Sequence, residues 1–299
     1  MGFLFYFLVV IAREVLNTGS NGFIKKYQRS APPGNVSFCI YTIIMSIFAM
    51  CFFYVTGGCR ITVNPGMLGY SVLTGVDTVV VVLVGIIAMQ YTDLLTLNLS
   101  SCCGSMILPV LYGVFFLNES TSFLYWLSTA CMVAAVLIPM LAQKEKGGRS
   151  TFLGFIFCII MFFGSGLYSV FNKMYQVSPC FTDASSFCFL INLTMLAVCI
   201  PLLFLFIRRT PSERETFRKF TPYLVILCVL AAVTSNAASL LNFTAMKGMN
   251  LTLLTVFGTS FNILGTAVLS MAIFKERKLG ISDTISILCA LISVVLGAL

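Results

Sequence analysis

The sequence contains no histidine among its 299 residues. That absence removes histidine general bases, imidazole metal sites and histidine-ligated haem together. Charge is scarce too. Only 9% of residues are charged, against roughly 25% in a soluble domain, so a solvated surface cannot be built from this composition. No glycine-rich run ends in Lys-Ser or Lys-Thr, which disfavours ATP-driven chemistry. No Cys-x-x-Cys spacing occurs, and the twelve cysteines are scattered, nearly all within apolar runs. They read as small apolar filler in helix packing. No metal or other cofactor is expected.

What remains is 59% apolar, with a mean hydropathy of +1.01. The fold class that follows is an all-α integral membrane protein, because lipid leaves any unpaired backbone group without a partner. A span needs about 20 apolar residues. Cutting at charges, prolines and glycine turns predicts spans at 3–26, 36–56, 66–89, 93–117 and 122–142, then 151–174, 183–207, 220–245, 249–274 and 280–298. The run from Phe3 to Ala12 leads into Arg13-Glu14 rather than a small-residue cleavage site, so it reads as the start of the first span and not as a signal peptide.

The chain also repeats itself. GFIKKYQ at 22–28 resembles VFNKMYQ at 170–176, a shift of 148 residues. Ala88-Met89 matches Ala245-Met246 and Glu119 matches Glu276, both at a shift of 157. The predicted division is therefore a first five-helix repeat over 1–142 and a second over 151–299. An odd number of spans per repeat forces the halves into opposite orientations, as in many secondary transporters.

GSNGFIKK at 19–26, AMQYTDLLTLNLSS at 88–101, FFLNES at 115–120 and IFKERKLG at 273–280 together give a pattern that resembles the drug/metabolite transporter superfamily, specifically its EamA-like ten-helix members. FFLNES and IFKERKLG resemble the glycine-glutamate-arginine ending of that family's helices four and nine. Asn118 and Lys275 replace the glycine here, and Ser120 replaces the first arginine. The resemblance implies secondary transport of small metabolites or drugs, often outward, by alternating access. Helices one to four and six to nine would surround the cavity, leaving five and ten peripheral and open to homodimer contact. The expected substrate is an amino acid or related solute. Nucleotide-sugar or phosphorylated-metabolite exchange is the alternative, and a non-transporting polytopic scaffold is the third reading.

Fourteen of the eighteen basic residues fall on the side that receives the segments after the odd-numbered spans. Arg60, Lys173 and Lys247 fall on the other. The positive-inside rule then puts both termini outside a plasma membrane. The basic excess marks loops, so no nucleic-acid partner is expected; the partners are a small-molecule substrate and membrane lipid.

The sharpest chemical signal is Arg13-Glu14, midway along the first span. Each charge at a helix centre costs about 2.5–3.5 kcal/mol on insertion scales. Adjacent helical residues point about 100° apart, so the two look poorly placed to pair with each other. Asp77 in the third span is the expected partner for Arg13, which would leave Glu14 unpaired. Arg13 is the candidate anchor for a substrate carboxylate or phosphate, and Glu14 or Asp77 the candidate coupling acid. A buried structural ion pair is the competing reading. Around them stand Asn17, Asn21, Asn98, Asn172, Asn236 and Asn262, whose amides suit zwitterionic or hydroxylated solutes. Tyr168 is the aromatic expected in the cavity. Lys25 and Lys173 read as snorkelling residues near opposite mouths, and Glu119 and Glu276 as structural.

Overall fold

The computed structural model describes all residues except 1–2, 33, 90, 93, 117–122, 145–148, 210–220, 247–250, 275–279 and 299. The described chain is helical, with no strand among the described residues. In order, the helices are α1 (Phe3–Ser30), α2 (Asn35–Thr56), α3 (Pro65–Ala88), α4 (Leu94–Phe116), α5 (Phe123–Lys144), α6 (Arg149–Val177), α7 (Ala184–Arg209), α8 (Pro222–Met246), α9 (Leu251–Val268) and α10 (Ile281–Ala298). A π-helical turn, Leu269–Ile273, extends α9. Six of these helices, α2, α3, α4, α6, α7 and α8, are long and apolar enough by themselves to cross a membrane. The protein is therefore a membrane protein. Helix α1 reaches further than the apolar run predicts, through Lys25 and Lys26 to Ser30.

Local sequence explains the ends that are sharp. Pro65 opens α3 behind Asn64, whose side chain accepts from the Gly66 amide at 3.2 Å. Helix α2 closes on Gly57, and the chain then turns through Gly58 and Cys59 with φ of 71° and 58°. Gly58 meets that left-handed turn without a steric penalty.

Where contacts fix it, helix direction alternates along the chain, odd-numbered helices running one way and even-numbered the other. Arg13 meets Asn242 and Ser20 meets Ala231, so α1 runs antiparallel to α8. Glu14 meets Asn262 and Gly22 faces Leu269, so α1 runs parallel to α9 and its π turn. Ser100 meets Cys158 and Leu108 faces Gly166, making α4 and α6 parallel. Helices α5 and α10 are antiparallel, held by reciprocal bonds in which each hydroxyl of Ser128 and Ser293 donates to the other residue's carbonyl at 2.6 Å.

The packing pattern has a regularity of its own. The extensive contacts are α1 with α8, α4 with α6, α3 with α6, α3 with α7, α1 with α9, and α2 with α8. Exchanging each helix for the one five places away returns the same set. The pairs α2–α7, α5–α10 and α4–α9 map onto themselves.

Candidate functional site

A cavity of about 360 Å³ lies among α1, α2, α3, α6, α7 and α8, with Leu97 of α4 at its edge. Its volume falls in the range of small-molecule sites. Asn21 of α1 and Asn236 of α8 face it, together with Asn192 of α7, Tyr41 of α2 and Tyr168 of α6. Four methionines, Met45, Met89, Met161 and Met195, supply much of the apolar wall. No formally charged side chain stands among its described lining residues.

Several lining groups are already committed to the backbone. Thr42 donates to the Phe38 carbonyl at 3.1 Å and Thr78 to the Thr74 carbonyl at 2.7 Å. Ser20 donates to the Ala231 carbonyl at 3.2 Å and Ser239 to the Ser235 carbonyl at 3.1 Å. The Asn192 amide nitrogen donates to the Cys188 carbonyl at 2.8 Å. Asn21 and Asn236 make no hydrogen bond to the described residues, and Asn236 is buried. Their amides keep both donors and acceptors available to an occupant.

A second polar feature runs beside the cavity, across four helices. Arg13 Nη1 donates to Asn242 Oδ1 of α8 at 2.9 Å, and Arg13 Nη2 lies 2.6 Å from Glu14 Oε1. Asn262 of α9 donates to Glu14 Oε2 at 3.1 Å, and the Asn17 amide also reaches Glu14. Asn98 of α4 in turn donates to Asn262 Oδ1 at 2.7 Å and to the Thr266 hydroxyl at 3.0 Å. Gly258 of α9 makes room for the pair, since a Cβ there would stand 3.0 Å from Arg13 Nη2 and 3.2 Å from Glu14 Oε1.

This arrangement corrects two expectations. Arg13 and Glu14 do pair with each other. The flexible arginine side chain reaches its neighbour despite the offset of about 100°, and among the described residues no other acid pairs with it. Glu14 is 2% exposed, and its Oε1 has the charge contact but no aligned hydrogen bond. The expected Arg13–Asp77 pair does not form, because α1 packs on α8 and α9 whereas α3 packs on α6 and α7. Arg13 is not among the cavity-lining residues, and neither are Glu14, Asn17, Asn98 or Asn262.

Asp77 lies instead at the α3–α6 contact, where its Oδ1 approaches Gly164 and its Oδ2 is buried without a hydrogen-bond partner. Tyr168 lines the cavity on this side; its hydroxyl lies beside Asn172 and within electrostatic range of Asp77. The sequence-selected residues thus divide into two groups, with Asp77 and Asn172 outside both. Asn21, Tyr168 and Asn236 meet at the cavity, while Arg13, Glu14, Asn17, Asn98 and Asn262 form the adjacent chain.

Lys25 does not snorkel. It is 3% exposed and donates to the Met89 carbonyl at 3.2 Å, holding the end of α3 at one mouth of the cavity. Its neighbour Tyr27 donates to the Ser37 carbonyl at 2.5 Å, pinning the α1–α2 connection. At the opposite end Tyr175 stacks on Phe187 with centroids 4.0 Å apart and accepts from the Thr182 amide at 3.4 Å. Lys247, Glu119 and Glu276 lie outside the described residues, as does the Lys173 side chain.

The methionines and the hydroxyls of Ser235 and Ser239, which flank the expected Asn236 on α8, escaped a search led by charge. The i, i+4 recurrence of Ser235 and Ser239 beside Asn236 was the available signal.

No protein-family model and no curated protein matches the sequence. A solved structure, described only as the crystal structure of a protein, superposes with a TM-score of 0.59 over 98% of this chain and 94% of its own length, at 14% identity. At that identity the likeness concerns the fold alone, and it extends over nearly the whole of both chains.

Proposed function

We propose that the protein is a secondary transporter that moves a small organic metabolite by alternating access, with outward movement the favoured direction. Its ten helices are ten spans, arranged as two inverted five-helix repeats over 1–142 and 151–299 in the manner of EamA-like members of the drug/metabolite transporter superfamily. The single observation that carries this reading is a cavity of small-molecule size enclosed by helices of both halves.

The two sequence offsets support the repeat. Arg13 touches Asn242 where Met161 touches Gly85. The first members differ by 148 and the second by 157. Thr18 against Gly265 and Gly166 against Leu108 obey the same two offsets. Tyr27 and Tyr175, also 148 apart, pin the connections at opposite ends. An inverted repeat of this kind offers two equivalent mouths, of which one can close while the other opens.

Glu14 is the coupling acid in this reading. It is buried and lies between α1 and α9, and it is bound to the Arg13–Asn242 link to α8. Proton loading there would weaken its hold on Arg13 and so the α1–α8 contact. The membrane is the plasma membrane, with the basic connections inside. Exchange of nucleotide sugars or phosphorylated metabolites is the second reading; of its expected phosphate anchors Arg13, Lys173 and Lys247, Arg13 is engaged with Glu14 outside the cavity lining.

The test is a thermal-shift screen of the purified protein against a metabolite library. A tenfold excess of ligand over Kd stabilises the fold by about 1.4 kcal/mol. A ligand class that stabilises wild type but not Asn236→Ala is the expected result. A folded protein that no class stabilises contradicts the proposal.

A further inference from the structure

We infer that the occupant of the central cavity is uncharged: an amphiphile with N–H or O–H donors on one edge and an apolar flank on the other. The inference deepens the transport reading and rests on it for the movement of solute, whereas recognition is argued from the cavity alone.

Among the described residues, every charge near the cavity is engaged elsewhere or stands outside its lining. Arg13 is held by Glu14 and Asn242, and Lys25 by the Met89 carbonyl. Asp77 sits behind the wall at the α3–α6 contact. A carboxylate or phosphate entering this space would leave water with no cation to meet it, and an ammonium would find no lining carboxylate. Burying an unpaired charge is far costlier than burying a hydrogen-bonded amide. Zwitterions are disfavoured for the same reason as anions, which narrows the expected solutes from free amino acids to neutral compounds.

The polar groups that remain specify the hydrogen-bonding edge. The hydroxyls of Thr42 and Thr78 donate to carbonyls and therefore present lone pairs to the cavity. The Asn192 amide nitrogen is likewise engaged, leaving its oxygen. Acceptors thus outnumber donors, so the complementary solute donates more than it accepts. Asn21 and Asn236 add one complete amide each from the adjacent helices α1 and α8. The methionine wall adapts to apolar surfaces of varied shape and makes favourable contacts with aromatic rings.

Closely related phenylalanine-like skeletons in four charge states test this directly. The probes are N-acetylphenylalaninamide (uncharged), phenylalanine (zwitterion), N-acetylphenylalanine (anion) and 2-phenylethylammonium (cation), at neutral pH. Binding is read by thermal shift with the full-length protein, and uptake by proteoliposomes containing it. The uncharged probe is expected to bind at least about tenfold more tightly than each charged one, and to weaken at least about fivefold in both Asn236→Ala and Asn21→Ala. Failure of the uncharged probe to bind overturns the inference, as does equal or tighter binding of a charged one; a preference for the cation would assign its anchor to Asp77. Binding of the uncharged probe without uptake contradicts the transport reading and leaves the inference standing. Uptake of the zwitterion in place of the uncharged probe does the reverse.

Discussion

Arg13 and Glu14 show how a membrane interior handles two charges that the sequence sets side by side. Each alone would be a heavy penalty, and together they form a pair whose remaining atoms reach α8 and α9. Removing one partner of a buried pair leaves the other uncompensated, at a cost of about 3–5 kcal/mol. Arg13→Ala should therefore lower the unfolding temperature in detergent sharply. Arg13→Met combined with Glu14→Gln should lower it less than Arg13→Ala alone, because no charge is left behind. Equal loss in both would mean that the pair does not carry the interaction. The two charges were legible because they interrupt an apolar run. Their partners were not, since which helix faces Arg13 depends on packing and not on spacing along α1. Met45, Met89, Met161 and Met195 were illegible for another reason. In a chain this apolar, a methionine on the cavity wall reads the same as one facing lipid.

At the scale of elements, small residues decide how closely the helices approach. A Cβ on Gly104 of α4 would collide with the Phe162 backbone carbonyl of α6, and one on Gly166 with Leu108. Backbone cannot yield as a side-chain tip can. Gly104→Ala should destabilise the protein by about 1–3 kcal/mol or more, measured by thermal unfolding. Gly19→Ala has nothing within 4 Å and should be neutral or mildly stabilising. The tyrosine pins are a second device of this scale. Tyr27→Phe removes the bond to the Ser37 carbonyl and should cost about 1 kcal/mol, with faster amide exchange in 31–37 as the local readout. Most helix positions were readable from apolar runs bounded by charge, proline and glycine. The extension of α1 to Ser30 was less so, because Lys25 looks like an interfacial residue until Met89 is known to receive it.

For the whole molecule, the exchange of each helix with the one five places on preserves the packing, yet the two halves differ in chemistry. One contact between the halves sets Arg13 on Asn242, whereas the corresponding contact sets Met161 against Gly85. Polarity is thus concentrated on one of two corresponding contacts. The helix order also predicts sidedness. In a cysteine-free background, single cysteines at Gly58 and Pro179 should label from the same side of the membrane, and one at Ala31 from the opposite side. Labelling of Ala31 and Gly58 from one side would contradict the alternation of spans. The likeness of FIKKYQ to FNKMYQ was visible in the sequence, whereas the cavity was not, since it is assembled from six helices that no local motif brings together. In the proposed transport cycle, solute passes through that cavity. The most direct measurement loads proteoliposomes with a defined metabolite mixture and follows its loss by mass spectrometry, comparing wild type with the cavity-filling variant Ser239→Trp. Depletion of at least one uncharged solute by wild type, absent in a folded Ser239→Trp protein, is the predicted result. Depletion that survives the filled cavity, or folded wild-type protein that depletes nothing, would contradict it.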